Sequence, residues 1–257
     1  MVVLASGMAT RLLPLIKRGE KHLICVGGKP LLVRTYHTLK HVLNSSELHL
    51  VSVVRKGNED LYRKALQDYI DEDKIHIVSN EQAENTNNSF TLLLGLKYVI
   101  DSFNNHDVIV MNGDIVLLHK LNDSRHSETS IPNDISLIVS FEADKAHFMR
   151  AFVDNDKIVW IGFDIPSHIA NAVVLGLYIP SDNILKFLNT YERYVNLTNK
   201  LPWFEYILDL MIINEELELK AWPLGDEVIW WEIDDPNDYI YTKILDDSWR
   251  NILRVHK

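Results

Sequence analysis

An α/β fold built on a mostly parallel sheet is predicted for this 257-residue chain by three observations. Strand-like apolar runs alternate with helix-spaced segments over residues 1–120, the pattern of βαβ crossovers. The chain opens on Val2-Val3-Leu4-Ala5 and breaks into Ser6-Gly7-Met8-Ala9-Thr10-Arg11-Leu12, a buried strand running into a loop of small residues whose backbone N–H groups can approach an anion. A later apolar run, Asp107 to Met111, ends in Asn112-Gly113-Asp114. Ligands of such sheets bind at the carboxyl ends of strands, where these two loops would meet.

The elements follow in order. Leu48 to Val54 reads as a strand, Asn58 to Tyr69 as a helix, Lys74 to Ser79 as a strand, and Ser89 to Ile100 as an amphipathic helix. Beyond residue 120 the pattern changes to strand-like segments at Ile135 to Ser140, Met149 to Val153, Lys157 to Ile161 and Ala172 to Ile179, with a hairpin turn at Asp154-Asn155-Asp156. Helical segments near Ser181 to Tyr194 and Pro202 to Ile213 precede a final strand pair, Leu217 to Trp222 and Val228 to Ile233, and a helix from about Pro236. No Gly/Ser/Pro-rich linker divides the chain. One domain over 1–257 is therefore expected, in which a first half to about 120, carrying the anion-binding loop, is completed by a second half from about 121.

Composition limits the function. Hydrophobic residues make up 47% of the chain, enough for a substantial core. No apolar run reaches the roughly 18–20 residues that cross a bilayer. The chain opens directly on a strand, which predicts no secretory signal. The one cysteine, Cys25, fits a reducing, cytoplasmic setting, and its apolar neighbours Leu23, Ile24 and Val26 predict that it is core. With 36 acidic against 26 basic residues, a formal net charge of −10, the chain is not expected to bind nucleic acid. A local basic pocket can still hold one nucleotide.

Individual residues point to phosphate chemistry. Arg11 and Lys21 supply positive charge beside the small-residue loop. Asp114 follows a strand and a glycine, as a metal ligand or a turn residue would. Asp234, Asp235 and Asp238 surround Pro236, and helix capping accounts for such a group, with proline at the first helical position. Glu84-Asn85-Thr86-Asn87-Asn88-Ser89 is a polar loop entering an apolar helix, where capping explains Asn88 or Ser89. The eleven histidines form no metal-ligand spacing.

These stretches resemble, in order, the motifs of the sugar-phosphate nucleotidylyltransferases. The family pattern is a strand followed by L-A-A-G-x-G-T-R-L, a variable stretch ending in P-K, and a G-G-K-P or similar turn. Here it reads Leu4-Ala5-Ser6-Gly7-Met8-Ala9-Thr10-Arg11-Leu12, then Glu20-Lys21, then Gly28-Lys29-Pro30. The Asn87-Asn88-Ser89 stretch is most similar to phosphocholine cytidylyltransferases of the LicC type and to inositol-phosphate cytidylyltransferases.

The resemblance implies a Rossmann-like three-layer α/β/α fold of the nucleotide-diphospho-sugar transferase type. It also implies Mg²⁺-dependent transfer of an NMP, CMP foremost, from an NTP (CTP, or else UTP) to a phosphorylated alcohol or sugar 1-phosphate, with release of pyrophosphate. Arg11 and Lys21 would be catalytic, and Asp114 and Asp234 would hold the metal, with Glu232 a lesser participant. Ala5, Ser6, Gly7, Met8, Ala9, Thr10, Arg11, Gly113, Asn87, Asn88 and Ser89 would contact the nucleotide, and Trp203 and Glu205 the acceptor. Base choice is expected from groups near Ala5, Ser6 and Asn80 to Glu84.

Three departures stand out. Ala9 replaces the second glycine, and Glu20 replaces the proline before the lysine, adding negative charge beside an anion site. Phe163 stands where relatives often place a lysine toward the acceptor phosphate, so that either another base such as Arg150 or Lys157 serves the acceptor, or the substrate is an unusual one, or turnover is lost. Among six tryptophans, Trp203 is the candidate for an aromatic cage around a quaternary ammonium such as choline, although core packing is the commoner fate of the residue. Two other classes stay open: a nucleotide-binding regulator that has lost turnover, suggested by the three departures, and a glycosyltransferase, which ranks last because Asn112-Gly113-Asp114 stands where D-x-D is usual.

Overall fold

The computed structural model describes residues 1–7, 10–12, 20–119, 130–141, 148–225 and 227–244. In chain order the elements are β1 (Val2–Ala5), the hairpin strands β2 (Cys25–Val26) and β3 (Lys29–Pro30), α1 (Leu31–Val42), β4 (Leu50–Arg55), α2 (Glu59–Leu66), β5 (Ile75–Asn80), α3 (Asn88–Ser102), β6 (Val108–Asn112) and β7 (Ile115–His119). Then come β8 (Ser136–Ser140), β9 (Arg150–Asp154), β10 (Lys157–Gly162), β11 (Ala172–Ile179), α4 (Ile184–Leu197), α5 (Phe204–Ile213), β12 (Lys220–Pro223) and β13 (Val228–Glu232). Residues 236–244 are helical.

Nine strands form one mixed sheet in the order β5-β4-β1-β6-β11-β8-β12-β10-β9. The β5-β4-β1-β6 part is parallel, with α1 in the connection from β1 to β4, α2 in that from β4 to β5 and α3 in that from β5 to β6. Antiparallel pairing begins where β11 meets β6, so the sheet changes character between the two halves of the sequence. Asn155 (φ 45°) and Asp156 (φ 67°) both adopt left-handed backbone at the β9–β10 hairpin, as a two-residue primed turn requires.

Strand alternation divides the core into layers. In β1, Val2 and Leu4 face a cluster built with Leu92, Leu96, Phe187 and Leu208 from α3, α4 and α5. Val3 and Ala5 face the opposite cluster, with Leu32, Tyr36 and Leu39 of α1 and Tyr62 and Leu66 of α2. A strand buried on both faces reads as a continuous apolar run, which is what Val2-Val3-Leu4-Ala5 is. A third, smaller cluster of Leu12, Ile24, Val26, Leu31, Val116 and Ile233 fastens the β2–β3 hairpin to a ribbon of β7 and β13.

Three expectations are corrected. The strands at the C-terminal end do not pair with each other: β12 inserts between β8 and β10, whereas β13 pairs with β7. The helix expected to be amphipathic, α3, is sandwiched between β1 and β4 on one side and α4 and α5 on the other, which leaves Leu92, Leu93 and Leu96 buried. Cys25 is exposed. It lies in an extended segment in which successive side chains alternate sides, so Ile24 and Val26 turn inward and Cys25 outward.

Candidate active site

A cleft of about 480 Å³ opens at the carboxyl ends of β1 and β6. Ser6, Gly7, Arg11, Lys21, Asn87, Asn88, Gly113, Asp114, Trp203, Glu205 and Asp234 all line it. These eleven residues, from five separate stretches of the sequence (6–21, 87–88, 113–114, 203–205 and 234), meet in one place because strand ends converge there.

Lys21 stands at its centre. Its Nζ donates to Asp114 Oδ2 at 2.5 Å and to Asp234 Oδ1 at 3.0 Å. Arg11, largely exposed, pairs with Asp234 Oδ2 at 3.1 Å. Burial disfavours the Lys21 charge, yet the Asp114 and Asp234 carboxylates outweigh it and hold the ammonium above the ordinary lysine range. Glu232 is the third carboxylate of the group: Asp114, Glu232 and Asp234 each offer an oxygen within 4.8 Å of the others. Burial, then the charges of Asp114 and Asp234, push Glu232 up to about 9. Asp114 Oδ1 is buried and has no hydrogen-bond partner among the described residues. Three crowded carboxylates with an orphaned oxygen are a donor set suited to a hard divalent cation.

The glycine before Asp114 is required by space. Gly113 N donates to Leu4 O at 3.1 Å, and an added Cβ would lie 2.4 Å from His22 Cδ2 and 2.7 Å from Leu4 O. Ser6 Oγ and Thr91 Oγ1 share a hydrogen bond at 2.5 Å, and Asn80 Nδ2 reaches both at 3.4 Å. This buried polar group ties the end of β1 to α3. Asn87 is the N-cap of α3, its side chain accepting from Asn88 N at 2.8 Å. Asn88 Oδ1 accepts from Phe204 N at 2.8 Å, so the first turns of α3 and α5 are linked.

Two residues expected at the nucleotide lie elsewhere. Ala5 and Ser89 are fully buried and do not line the cleft: Ala5 faces α1 and α2, and the carbonyl of Ser89 takes the Tyr191 hydroxyl at 3.1 Å. Met8 and Ala9 lie outside the described residues, and the backbone of Thr10 opens a short helical turn, Thr10–Leu12.

The far end of the cleft is aromatic and acidic. Trp203 meets Phe163 edge-on at 4.9 Å between ring centroids and stacks on Tyr206 at 5.9 Å. Glu205, in the first turn of α5, accepts from Asn112 Nδ2 at 3.0 Å, and burial raises its carboxyl to about 7 against the hydrogen bonds it receives. Arg150 donates to the Phe163 carbonyl. Lys157 pairs with Glu218 at 2.8 Å and does not line the cleft.

Two further acidic features have local explanations. Asp235 Oδ1 accepts from Asp238 N at 3.1 Å, and Asp238 Oδ2 accepts from Asp235 N at 2.9 Å, a reciprocal capping box at the start of helix 236–244. Glu20 does not add charge to the cleft as its sequence position suggests. Its side chain is buried and turned toward α2, accepting from Tyr62 Oη at 2.8 Å, Arg55 at 3.3 Å and Asn58 Nδ2. The residue that sequence reasoning overlooked is His22. It lines the cleft and is held neutral, lowered to about 3 by burial and then by the Lys21 charge. Its position beside Lys21 is the only signal the sequence carries.

Residues 1–194 match the model of the family described as nucleotidyl transferase. CMP-5'-(3-aminopropyl)phosphonate synthase of Streptomyces rubellomurinus is 27% identical over 250 residues, covering 92% of this chain and 37% of that protein. Bifunctional protein GlmU of Methanococcus aeolicus is 26% identical over 254 residues, covering 96% of this chain and 55% of that protein. The chain thus spans between 37% and 55% of the length of these two relatives. Among solved structures, the inositol-1-phosphate CTP transferase from T. maritima superposes with a TM-score of 0.69 at 21% identity, over 95% of this chain and 94% of that one. The CTP:phosphocholine cytidylyltransferase of Streptococcus pneumoniae (LicC) does so with a TM-score of 0.68 at 17% identity, over 95% and 97%. These structures share the fold, and the family match over residues 1–194 shows that the chain belongs to the nucleotidyl transferase family.

Proposed function

We propose that the chain transfers CMP from CTP to a small acceptor carrying a phosphate or phosphonate, releasing pyrophosphate. The observation that carries this reading is the placement of Lys21 between Asp114 and Asp234 in a cleft with a small-residue loop at one end and Trp203 and Glu205 at the other. Cytidylyl transfer is favoured over other nucleotides by the activities of the 27% identical relative and of the two structural neighbours.

An acceptor phosphate oxygen is already ionised, so it can attack the α-phosphorus without a general base. The new P–O bond forms as the α–β bridge breaks, and the electron pair leaves with pyrophosphate. Lys21 and Arg11 would offset charge on the phosphates, and the backbone at Ser6 and Gly7 would fix their place. Asp114 and Asp234, with Glu232, fit a Mg²⁺ ion, which when bound offsets phosphate charge. The Trp203 and Phe163 rings beside Glu205 fit a cationic headgroup, since an ammonium is attracted to an aromatic ring and would favour ionisation of the buried Glu205 carboxyl. Phe163 in place of a lysine also keeps the regulator reading in play, whereas the paired, inward-turned Glu20 removes one of its grounds.

The test is pyrophosphate release with Mg²⁺, each of the four NTPs in turn, and a panel of phosphocholine, an aminoalkylphosphonate, inositol 1-phosphate and hexose 1-phosphates. Release that requires CTP and one acceptor is expected. Silence across the panel together with calorimetric NTP binding would establish the regulator instead.

A further inference from the structure

Glu20, Lys21 and His22 are consecutive, and the two outer side chains end on the same atom. Tyr62 Oη lies 2.8 Å from Glu20 Oε2 and 2.6 Å from His22 Nδ1. Tyr62 is fully buried on α2, and its hydroxyl also approaches the carbonyl of Ala5 at the end of β1, at 3.4 Å. The remaining Glu20 oxygen is occupied by Arg55 and Asn58. Glu20 is 7% exposed and His22 1%, so both side chains that flank Lys21 are held in place at the start of the short helical turn Lys21–Leu23.

A tyrosine hydroxyl has one proton. Burial raises the Glu20 carboxyl, while the Tyr62 hydroxyl and the Arg55 charge favour its ionised form; in that form the carboxylate takes the Tyr62 proton in a hydrogen bond, and the Tyr62 oxygen accepts from the Nδ1–H of His22. The arrangement thereby selects one histidine tautomer and keeps a second positive charge away from Lys21. The opposite edge of the imidazole lies against the backbone of Gly113, the residue before Asp114. Tyr62 of α2 therefore anchors both neighbours of Lys21, and the lysine between them projects to Asp114 and Asp234.

We propose that Tyr62 is a positioning residue for Lys21, a clamp through Glu20 and His22 that aims the ammonium at the carboxylates and at the triphosphate. The clamp does the work that a rigid proline would do at the position of Glu20, whose φ of −103° lies outside the range of a proline ring. This inference rests on the reading of Lys21 as a residue of nucleotidyl transfer, and the experiment separates the two.

Tyr62→Phe keeps the buried ring and removes only the hydroxyl. With the CTP and acceptor found by the panel, the expected result is a kcat lowered about 10- to 100-fold, the scale of a displaced reacting group, with CTP affinity by calorimetry within about threefold of the unaltered chain. In a Lys21→Ala background the same substitution should cost nothing further, because residues that act as a unit are not additive. An undiminished kcat in Tyr62→Phe, or a full additional loss on top of Lys21→Ala, overturns the clamp. Should Tyr62→Phe fail to fold, Glu20→Gln is judged by the same two criteria and decides it. If Lys21→Ala alone leaves the rate unchanged, or the unaltered chain turns over no substrate, the transfer reading of Lys21 has failed and the clamp falls with it.

Discussion

Glu205 carries a proton dependence whose sign the structure determines. Burial raises its carboxyl from 4.5 to about 7, so between those values the folded chain holds a proton that the unfolded chain has released. Its contribution to stability is complete below about pH 4.5 and is lost as the pH rises to 7. His22, lowered from 6.5 to about 3, acts the other way: its contribution is complete above 6.5 and is lost as the pH falls toward 3. A difference measurement isolates the first. In urea unfolding at a series of pH values from 4.5 to 7.5, Glu205→Gln should gain stability relative to the parent chain as the pH rises, and a flat difference would show Glu205 ionised throughout. The carboxylate trio makes a second prediction at this scale. Asp114→Ala or Asp234→Ala should lower pyrophosphate release at least about 100-fold, as loss of an electrostatic group at a reacting phosphate does. Thermal melting without added cations should be little changed, because each substitution also relieves repulsion on Glu232.

Elements here are constrained by what lies on both sides of them. α3 contains Gly95, and a Gly→Ala change inside a helix ordinarily gains about 1 kcal/mol. In this helix an added Cβ would lie 2.5 Å from Val2 Cγ1 and 3.1 Å from Val53 Cγ2, side chains of β1 and β4 that are themselves buried. Gly95→Ala should therefore destabilise the chain by about 1–3 kcal/mol, the cost of overpacking, measured as a lowered urea midpoint with an unchanged slope. The same close approach explains why the helix is apolar on nearly every side and why an amphipathic reading of Ser89 to Ile100 misses its second neighbour, the α4–α5 pair.

For the molecule as a whole, the cleft draws on both halves of the sequence: Lys21 reaches Asp114 and Asp234, 93 and 213 positions away. A ligand that binds there engages strands from the parallel and antiparallel parts of the sheet at once. CTP with Mg²⁺ at about 100 times its Kd should raise global stability by about 2.7 kcal/mol, read as an upward shift of the melting temperature. Either component alone should give less, since the carboxylates and the triphosphate repel each other without a cation. No helix among the described residues is long and apolar enough to cross a membrane.

From the sequence alone, the α/β alternation, the buried first strand, its break at Ser6-Gly7 and the capped helix start at Pro236 are legible, because each is written in neighbouring residues whose period or spacing has a local physical cause. Helix α1 and strand β7 are not legible in the sequence, since each directly follows a stronger local signal, Gly28-Lys29-Pro30 and Asn112-Gly113-Asp114 respectively. Tertiary structure alone decided which way Glu20 and Cys25 face, which strands β12 and β13 join, and that His22 and Tyr62 stand behind Lys21. The physical reason is the same in each case. A side chain's direction reverses with a shift of one residue in an extended segment, and the partner it then meets is chosen by long-range packing that no local pattern encodes.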